Sequence, residues 1–401
     1  MVIVILFLAG SCKKDEENNN NSATLSGIIL APDGETPIAG ATVYIPFDAG
    51  TAKTVTIDNP EGCSVPGESF LTYACTNPDG SFVLDLSGVF KDSYTLRIVK
   101  GSFQVDISVT AETGNYIGEI ELAANPASGG GNFAVVTGAY DRMQDILAKL
   151  GMGELDNGYK LKHGTELFDI YDGNYTFDNE YPDFPAIFED DPETGNPVIE
   201  NYEMVFINCG NSYEEAVLQD TGLVAILRDY VNKGGKLYVT DQSYDFVEQV
   251  FPEYIDFYGS DEKEYTEAED IDAAEVGADG IISDALIHDT QLVLWLQEVT
   301  CQGSSCLNLD NTVRIAGFWY AWALINDVHT EKSDEVKIWI TGPVSWYDFS
   351  EVEGSGEKPL TVSFNHGEGK VLYSSYHTEE DNPSAYFWPQ ERILQYLVFE
   401  L

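Results

Sequence analysis

Tyr230-Val231-Asn232-Lys233-Gly234-Gly235-Lys236-Leu237-Tyr238-Val239-Thr240-Asp241-Gln242-Ser243 joins a helix end to a buried strand and a turn. Upstream, Leu223, Ile226, Leu227, Tyr230 and Val231 recur at helical spacing on one face. Gly234-Gly235 ends that helix, because glycine accepts the left-handed backbone of a C-terminal cap. Lys236 to Thr240 then reads as a strand. Working outward, Met204-Val205-Phe206-Ile207 and Phe133-Ala134-Val135-Val136 are wholly apolar, as strands covered on both faces are. Thr137-Gly138 and a helical segment through Ile146, Leu147 and Leu150 follow the second run. Strand, helix, strand, helix, strand predicts a parallel sheet with helices on both faces. From Val313 the strand-like runs return, and a helix over 390–399 closes the chain. Segments 172–200 and 261–279, rich in acidic residues, read as surface insertions.

Residues 23–124 have a different period. Phe82, Leu84 and Leu86 alternate with polar residues, as do Tyr94, Leu96 and Ile98, and then Phe103, Val105, Ile107 and Val109. Period two with glycine-rich turns predicts half-buried antiparallel strands in a sandwich. Ser26-Gly27-Ile28-Ile29, Thr36-Pro37-Ile38-Ala39-Gly40-Ala41-Thr42-Val43 and Thr76-Asn77-Pro78-Asp79-Gly80-Ser81-Phe82 carry the finer signature. This segment resembles the carboxypeptidase regulatory-like domain, a transthyretin-like β-sandwich that acts as a spacer or binding module. Residues 125–132, with Pro126, Ser128 and three glycines, read as a linker.

At the start, apolar residues Met1 to Ala9 lead through Gly10-Ser11 to Cys12 and then to Lys13-Lys14-Asp15-Glu16-Glu17. The run is too short to span a bilayer and has the length of a signal-peptide core. It resembles a bacterial lipoprotein signal peptide over residues 1–11, with Cys12 the lipidated residue and 12–22 a polar tether. The resemblance implies a lipid-anchored protein of the cell outer membrane, facing the cell surface.

The 401 residues carry 20 basic and 68 acidic side chains, a net charge of −48. That field repels nucleic acid, so no nucleic-acid partner is expected. Hydrophobic residues at 43% and aromatics at 12% are enough to build real cores. Of six cysteines, Cys12 is assigned to lipid. Cys63 and Cys75 lie in one predicted domain, and Cys301 and Cys306 lie close together in another. Outside the cytoplasm these pairs read as disulfides. Cys209 follows an apolar run and reads as a buried, inert thiol. No paired Cys/His spacing of a zinc site occurs, and no metal ligand is assigned.

Three places from residue 133 onward carry a second resemblance. They are the turn Asn208-Cys209-Gly210-Asn211, the joint Tyr230 to Leu237, and Gly369-Lys370-Val371-Leu372-Tyr373-Ser374-Ser375-Tyr376-His377-Thr378-Glu379. This region is similar to the class I glutamine amidotransferase-like fold, flavodoxin-like in layout, and residues 133–401 are assigned to it. The family's nucleophilic cysteine matches Asp241 on the expected elbow, and its His-x-Glu motif matches His377 and Glu379. Without a thiol on the elbow, amide hydrolysis through a thioester has no nucleophile. Asp241, His377 and Glu379 remain a candidate pocket, suited to a divalent cation or to acid–base hydrolysis.

Three other features are read as structure. Phe318-Trp319-Tyr320-Ala321-Trp322 offers an aromatic platform for a sugar, or core packing. Asp172, Asn174, Asp178, Asn179, Glu180 and Asp183 lack the ordered spacing of a calcium loop. His366-Gly367-Glu368-Gly369-Lys370 lies between two strand-like runs and reads as a hairpin turn.

The expectation is a multidomain protein. An N-terminal antiparallel β-sandwich precedes an α/β flavodoxin-like, amidotransferase-like parallel sheet with insertions. Its expected role is non-catalytic binding or scaffolding toward a glycan or protein ligand, with the membrane as partner through the lipid and no cofactor assigned. The second reading is a secreted hydrolase, metal-dependent if a cation is held by Asp241, His377 and Glu379.

Overall fold

The computed structural model describes residues 24–47, 62–87, 89, 93–110, 116–177, 180–260, 262–347, 353–378 and 383–401. The signal peptide, Cys12 and its tether, Glu379, and Asp178 with Asn179 lie outside the described residues. The described part is mostly β, with several sheets and few helices. Among the described residues no helix is long and apolar enough to cross a membrane.

Strands β1 (Thr24–Leu30), β4 (Ser81–Asp85) and β7 (Tyr116–Glu121) form one small sheet. Strands β2 (Thr42–Pro46), β3 (Phe70–Cys75), β5 (Ser93–Lys100) and β6 (Phe103–Thr110) form another, antiparallel throughout. The alternation works as expected in β4, where Phe82 and Leu84 are buried while Val83 and Asp85 face solvent. One pairing departs from the all-antiparallel expectation: β1 and β7 run parallel. Parallel neighbours need a long crossover, and the chain between β1 and β7 supplies it by building the other sheet. Cys63–Cys75 and Cys301–Cys306 are both disulfides.

The larger sheet holds 11 strands and is mixed. Five run parallel: β9 (Asp169–Tyr171), β8 (Phe133–Val136), β10 (Met204–Ile207), β11 (Lys236–Thr240) and the strand Gly369–Ser374, in that spatial order. Beyond them Glu353–His366, Val336–Tyr347, Gly280–Ile287 and Thr312–Phe318 continue the sheet antiparallel. Glu353–His366 and Gly369–Ser374 meet in a hairpin at Gly367 and Glu368, as the sequence suggests.

The wholly apolar runs are explained by burial on both faces. Phe133, Val135, Met204, Phe206 and Tyr238 join one core, together with helices α1 (Met143–Leu147), α5 (Thr290–Glu298) and α6 (Pro389–Glu400). Ala134, Val136, Val205, Ile207, Leu237 and Val239 join the other, with helix α3 (Thr221–Asn232). Continuous hydrophobicity is the signature of such strands, because neither face meets water.

The first of these cores runs on into the N-terminal sheets. Phe103 packs on Phe133 and on Phe399, with ring centroids 5.6 and 4.8 Å apart. Trp295 Nε1 donates to the Pro37 carbonyl at 2.8 Å, and Gln395 Nε2 donates to Thr36 Oγ1 at 2.8 Å. Lys100 pairs with Glu400 across the same junction. Segment 125–132, expected as a linker, is folded onto β6: Asn125 caps a short turn and Gln104 N donates to the Gly129 carbonyl at 2.8 Å.

Candidate functional site

The register of the parallel strands brings three side chains together. Ile207 lies opposite Val239, and Val239 opposite Tyr373. Two residues past Ile207 and Val239 stand Cys209 and Asp241, at the same height beyond the carboxyl ends of their strands. His377 follows the neighbouring strand Gly369–Ser374 a little further on. Open parallel sheets place their ligand crevices at this end.

His377 Nε2 lies 2.9 Å from Asp241 Oδ2 and 3.1 Å from Cys209 Sγ. Cys209 Sγ is 3.6 Å from Asp241 Oδ2. Asp241 and His377, read from the sequence as one candidate pocket, are in contact. Cys209, read as a buried thiol, is buried and lies against both, a contact that the sequence reading leaves out. Glu379, the third expected member, lies outside the described residues.

Each side chain is held by its surroundings. Asp241 has φ +45°, in the left-handed region that aspartate tolerates better than most residues. Its Oδ1 accepts from Ala323 N at 3.0 Å, and its carbonyl accepts from Tyr373 Oη at 3.0 Å. Cys209 N donates to Thr240 Oγ1 at 3.1 Å, tying the two strand ends. Ser243 Oγ donates to the Asn208 carbonyl at 2.9 Å. His377 N donates to the Gly317 carbonyl at 2.9 Å, and the Trp319 ring meets the imidazole edge-on at 4.4 Å. Two glycines permit this closeness. A Cβ on Gly138 would stand 2.0 Å from the Cys209 carbonyl oxygen, and one on Gly317 2.2 Å from that of His377.

The cluster is closed to water: Cys209, Asp241 and His377 are 0%, 1% and 2% exposed. Burial pushes the Cys209 thiol well up, and the Asp241 charge pushes it further. Burial also raises Asp241, while its bond to His377 pulls the other way. A thiol so placed keeps its proton, and the thiolate is the nucleophilic form. Sulfur, imidazole nitrogen and carboxylate oxygen are also a donor set for a borderline cation such as zinc, and these three groups are the residues that would hold one.

The segment Phe318 to Ala323 touches the cluster through Trp319 and Ala323. Phe318 and Trp322 are buried, so the aromatic run serves mainly as packing. Gln242 Nε2 donates to the Ala321 carbonyl at 2.9 Å from below. Tyr320 points out instead, 87% exposed, beside a cleft of about 500 Å³ lined also by Glu275, Gly277, Asp279 and Tyr347. Of the loop read as lacking a calcium pattern, Asp172 is buried and spends its carboxylate on the amides of Asn174, Thr176 and Phe177.

Neither a family model nor a curated protein matches the chain. Among solved structures, similarity extends to two cytoplasmic proteins of Salmonella typhimurium. STM3548 has 11% identity and a TM-score of 0.30, over 76% of this chain and 95% of that one. STM1381 has 12% identity and a TM-score of 0.30, over 77% of this chain and 92% of that one. A cold-adapted β-galactosidase from Rahnella sp. R3 gives 12% identity and a TM-score of 0.25, over 67% of this chain and 32% of that enzyme. Likeness at this level assigns neither fold nor activity to the chain.

Proposed function

We propose that this chain is a lipid-anchored outer-membrane protein with a non-catalytic binding role, and that its ligand is a glycan. Its parallel block is read as a remote amidotransferase-like, flavodoxin-like domain whose crevice no longer serves chemistry. One observation carries the reading: Cys209, Asp241 and His377 form a cluster closed to solvent. Thiol catalysis needs a substrate to reach the sulfur, and Cys209 is closed to solvent.

The glycan assignment is supported by the outer side of the segment Phe318 to Ala323. Exposed Tyr320 and Tyr347 flank a cleft with Asp279 and Glu275 at hand. Sugar rings stack on aromatic faces while carboxylates accept from their hydroxyls. The anchor at Cys12 would present this surface outward.

Binding of polysaccharides and oligosaccharides to the purified protein, followed by calorimetry, tests the reading. Saturable binding that Tyr320→Ala abolishes is the expected result. Hydrolytic turnover that disappears in Asp241→Ala or His377→Ala would overturn it in favour of an enzyme.

A further inference from the structure

Glu214, Asp245 and Asp272 reach one point from three segments. Glu214 opens the short helix α2 (Glu214–Leu218), and Asp245 opens α4 (Asp245–Glu248), the turn that follows the Asp241 elbow. Asp272 comes from the acidic segment 262–279. One carboxylate oxygen of each lies within 4.8 Å of the others. Asp245 is wholly buried, and its Oδ2 accepts from Asp272 N at 3.0 Å. Glu214 contributes one carboxylate oxygen to this point, and its Oε1 is sealed from solvent with no hydrogen-bond donor among the described residues. Glu248, one turn beyond Asp245 and 4% exposed, keeps Oε2 in the same condition.

Three carboxylates at this distance repel one another, and burial makes the repulsion stronger. Among the described residues no Lys, Arg or His pairs with any of them. Lys263 pairs instead with Glu269 and Asp270, at 3.4 Å each. A buried carboxyl oxygen such as Glu214 Oε1, with neither a donor nor a counter-charge, suits a hard cation as its ligand. The donor atoms lie within 4.8 Å of one another, so no pair exceeds the span of a shell of ~2.4 Å calcium–oxygen bonds. A cavity of about 660 Å³ beside them, lined by Asn211, Ser212, Glu214, Glu215, Gln249 and Asp272, gives access from solvent and room for water ligands. The donors are all oxygen, which favours calcium over zinc.

We propose that Glu214, Asp245 and Asp272 form a calcium site that fastens the acidic segment 262–279 to α2 and α4. The site is separate from the Tyr320 cleft and from the Cys209–Asp241–His377 cluster. It takes no part in the glycan reading, and its test uses calcium alone.

Calorimetric titration of the chelator-treated full chain with calcium chloride tests this, in about 0.15 M sodium chloride to screen diffuse surface charge. Magnesium chloride serves as the comparison ion. The expected result is one saturable calcium site per chain and a rise in Tm on binding, since a ligand that binds only the folded state stabilises it. Magnesium should produce a smaller effect. Glu214→Gln should weaken calcium on the order of a hundredfold, because affinity follows the charge of the ligand set. Asp245→Asn should do the same, and Glu154→Gln, a surface carboxylate elsewhere, should leave binding intact. If Asp245→Asn does not fold, the partly exposed Glu214→Gln decides alone. Absence of a saturable site, or equal calcium affinity and Tm rise in Glu214→Gln and the parent chain, overturns the proposal.

Discussion

His377 Nε2 stands 3.1 Å from Cys209 Sγ although 168 residues of chain separate them. The same nitrogen is 2.9 Å from Asp241 Oδ2. The sulfur is thus enclosed by protein and placed beside a carboxylate, and both conditions disfavour the thiolate.

Cys209 should therefore be unreactive in the native protein. With the two disulfides intact, an aromatic disulfide reagent at mildly alkaline pH should leave Cys209 untouched. Guanidinium should release it to immediate modification. Rapid native modification of Cys209, mapped by mass spectrometry, would show an open and ionised thiol instead.

Asp241 combines an unusual backbone with two side-chain contacts, and two substitutions separate these contributions. Asn tolerates the left-handed region and keeps an oxygen for Ala323 N. Asp241→Ala loses that acceptor and places a β-carbon residue with no local bond at φ +45°. Asp241→Ala should cost about 2–4 kcal/mol from strain and the unmet donor together. Asp241→Asn should cost about half of that or less. Urea denaturation of the two variants gives the comparison, and equal losses would mean that the backbone position is not strained.

How much of this site was legible in the sequence depends on which contacts are local. The runs at Phe133, Met204 and Lys236 were readable because burial on both faces leaves a continuous apolar string. Asp241 and His377 were reached through the amidotransferase-like resemblance, carried by the helix-to-strand joint before the one and the strand leading to the other. Cys209 was missed although its signal was present. Once Ile207 stands opposite Val239 in a parallel pair, the residues two past each, Cys209 and Asp241, come side by side. The parallel pairing of β1 with β7 was not readable, because alternation fixes which face is buried and not which neighbour a strand takes. The calcium candidates were hidden in the same way. Segment 261–279 looks like a solvated insertion, and only tertiary contact turns Asp272 toward Asp245.

Lys149 and Glu391 form an ion pair at 2.8 Å with side chains 3% and 0% exposed. Glu391 Oε2 also accepts from Trp388 N at 3.0 Å, which starts α6. Lys149→Met removes the ammonium and keeps the bulk, so the Glu391 carboxylate stays buried without its counter-charge. The loss should be about 3–5 kcal/mol, as for other broken buried pairs. The double variant Lys149→Met with Glu391→Gln should recover part of it. A double-mutant cycle by urea denaturation checks this, and additive losses would mean that the pair is not coupled.

The buried carboxylates next to Asp272 set the sign of the pH response. Burial pushes Asp245 up to about 6, Glu275 to about 7 and Glu248 to about 8. In the unfolded chain Asp and Glu titrate near 4. Between these limits the folded chain retains protons that the unfolded chain has released. Stability is therefore fullest near the unfolded values and falls as pH rises through the folded ones. Glu248 is the most instructive member. Its Oε1 accepts from Glu269 N at 3.0 Å, Asp245 and Glu269 add like charge, and Lys263 opposes them. In chelator-treated protein the urea midpoint should decline steadily from about pH 5 to about pH 8. Glu248→Gln should flatten the upper half of that decline and raise the midpoint at the alkaline end, since the amide has no charge to bury. Saturating calcium should flatten it as well, by favouring the ionised carboxylates in the folded state. A midpoint that rises with pH across this window would mean that these carboxylates are ionised and compensated in the folded chain.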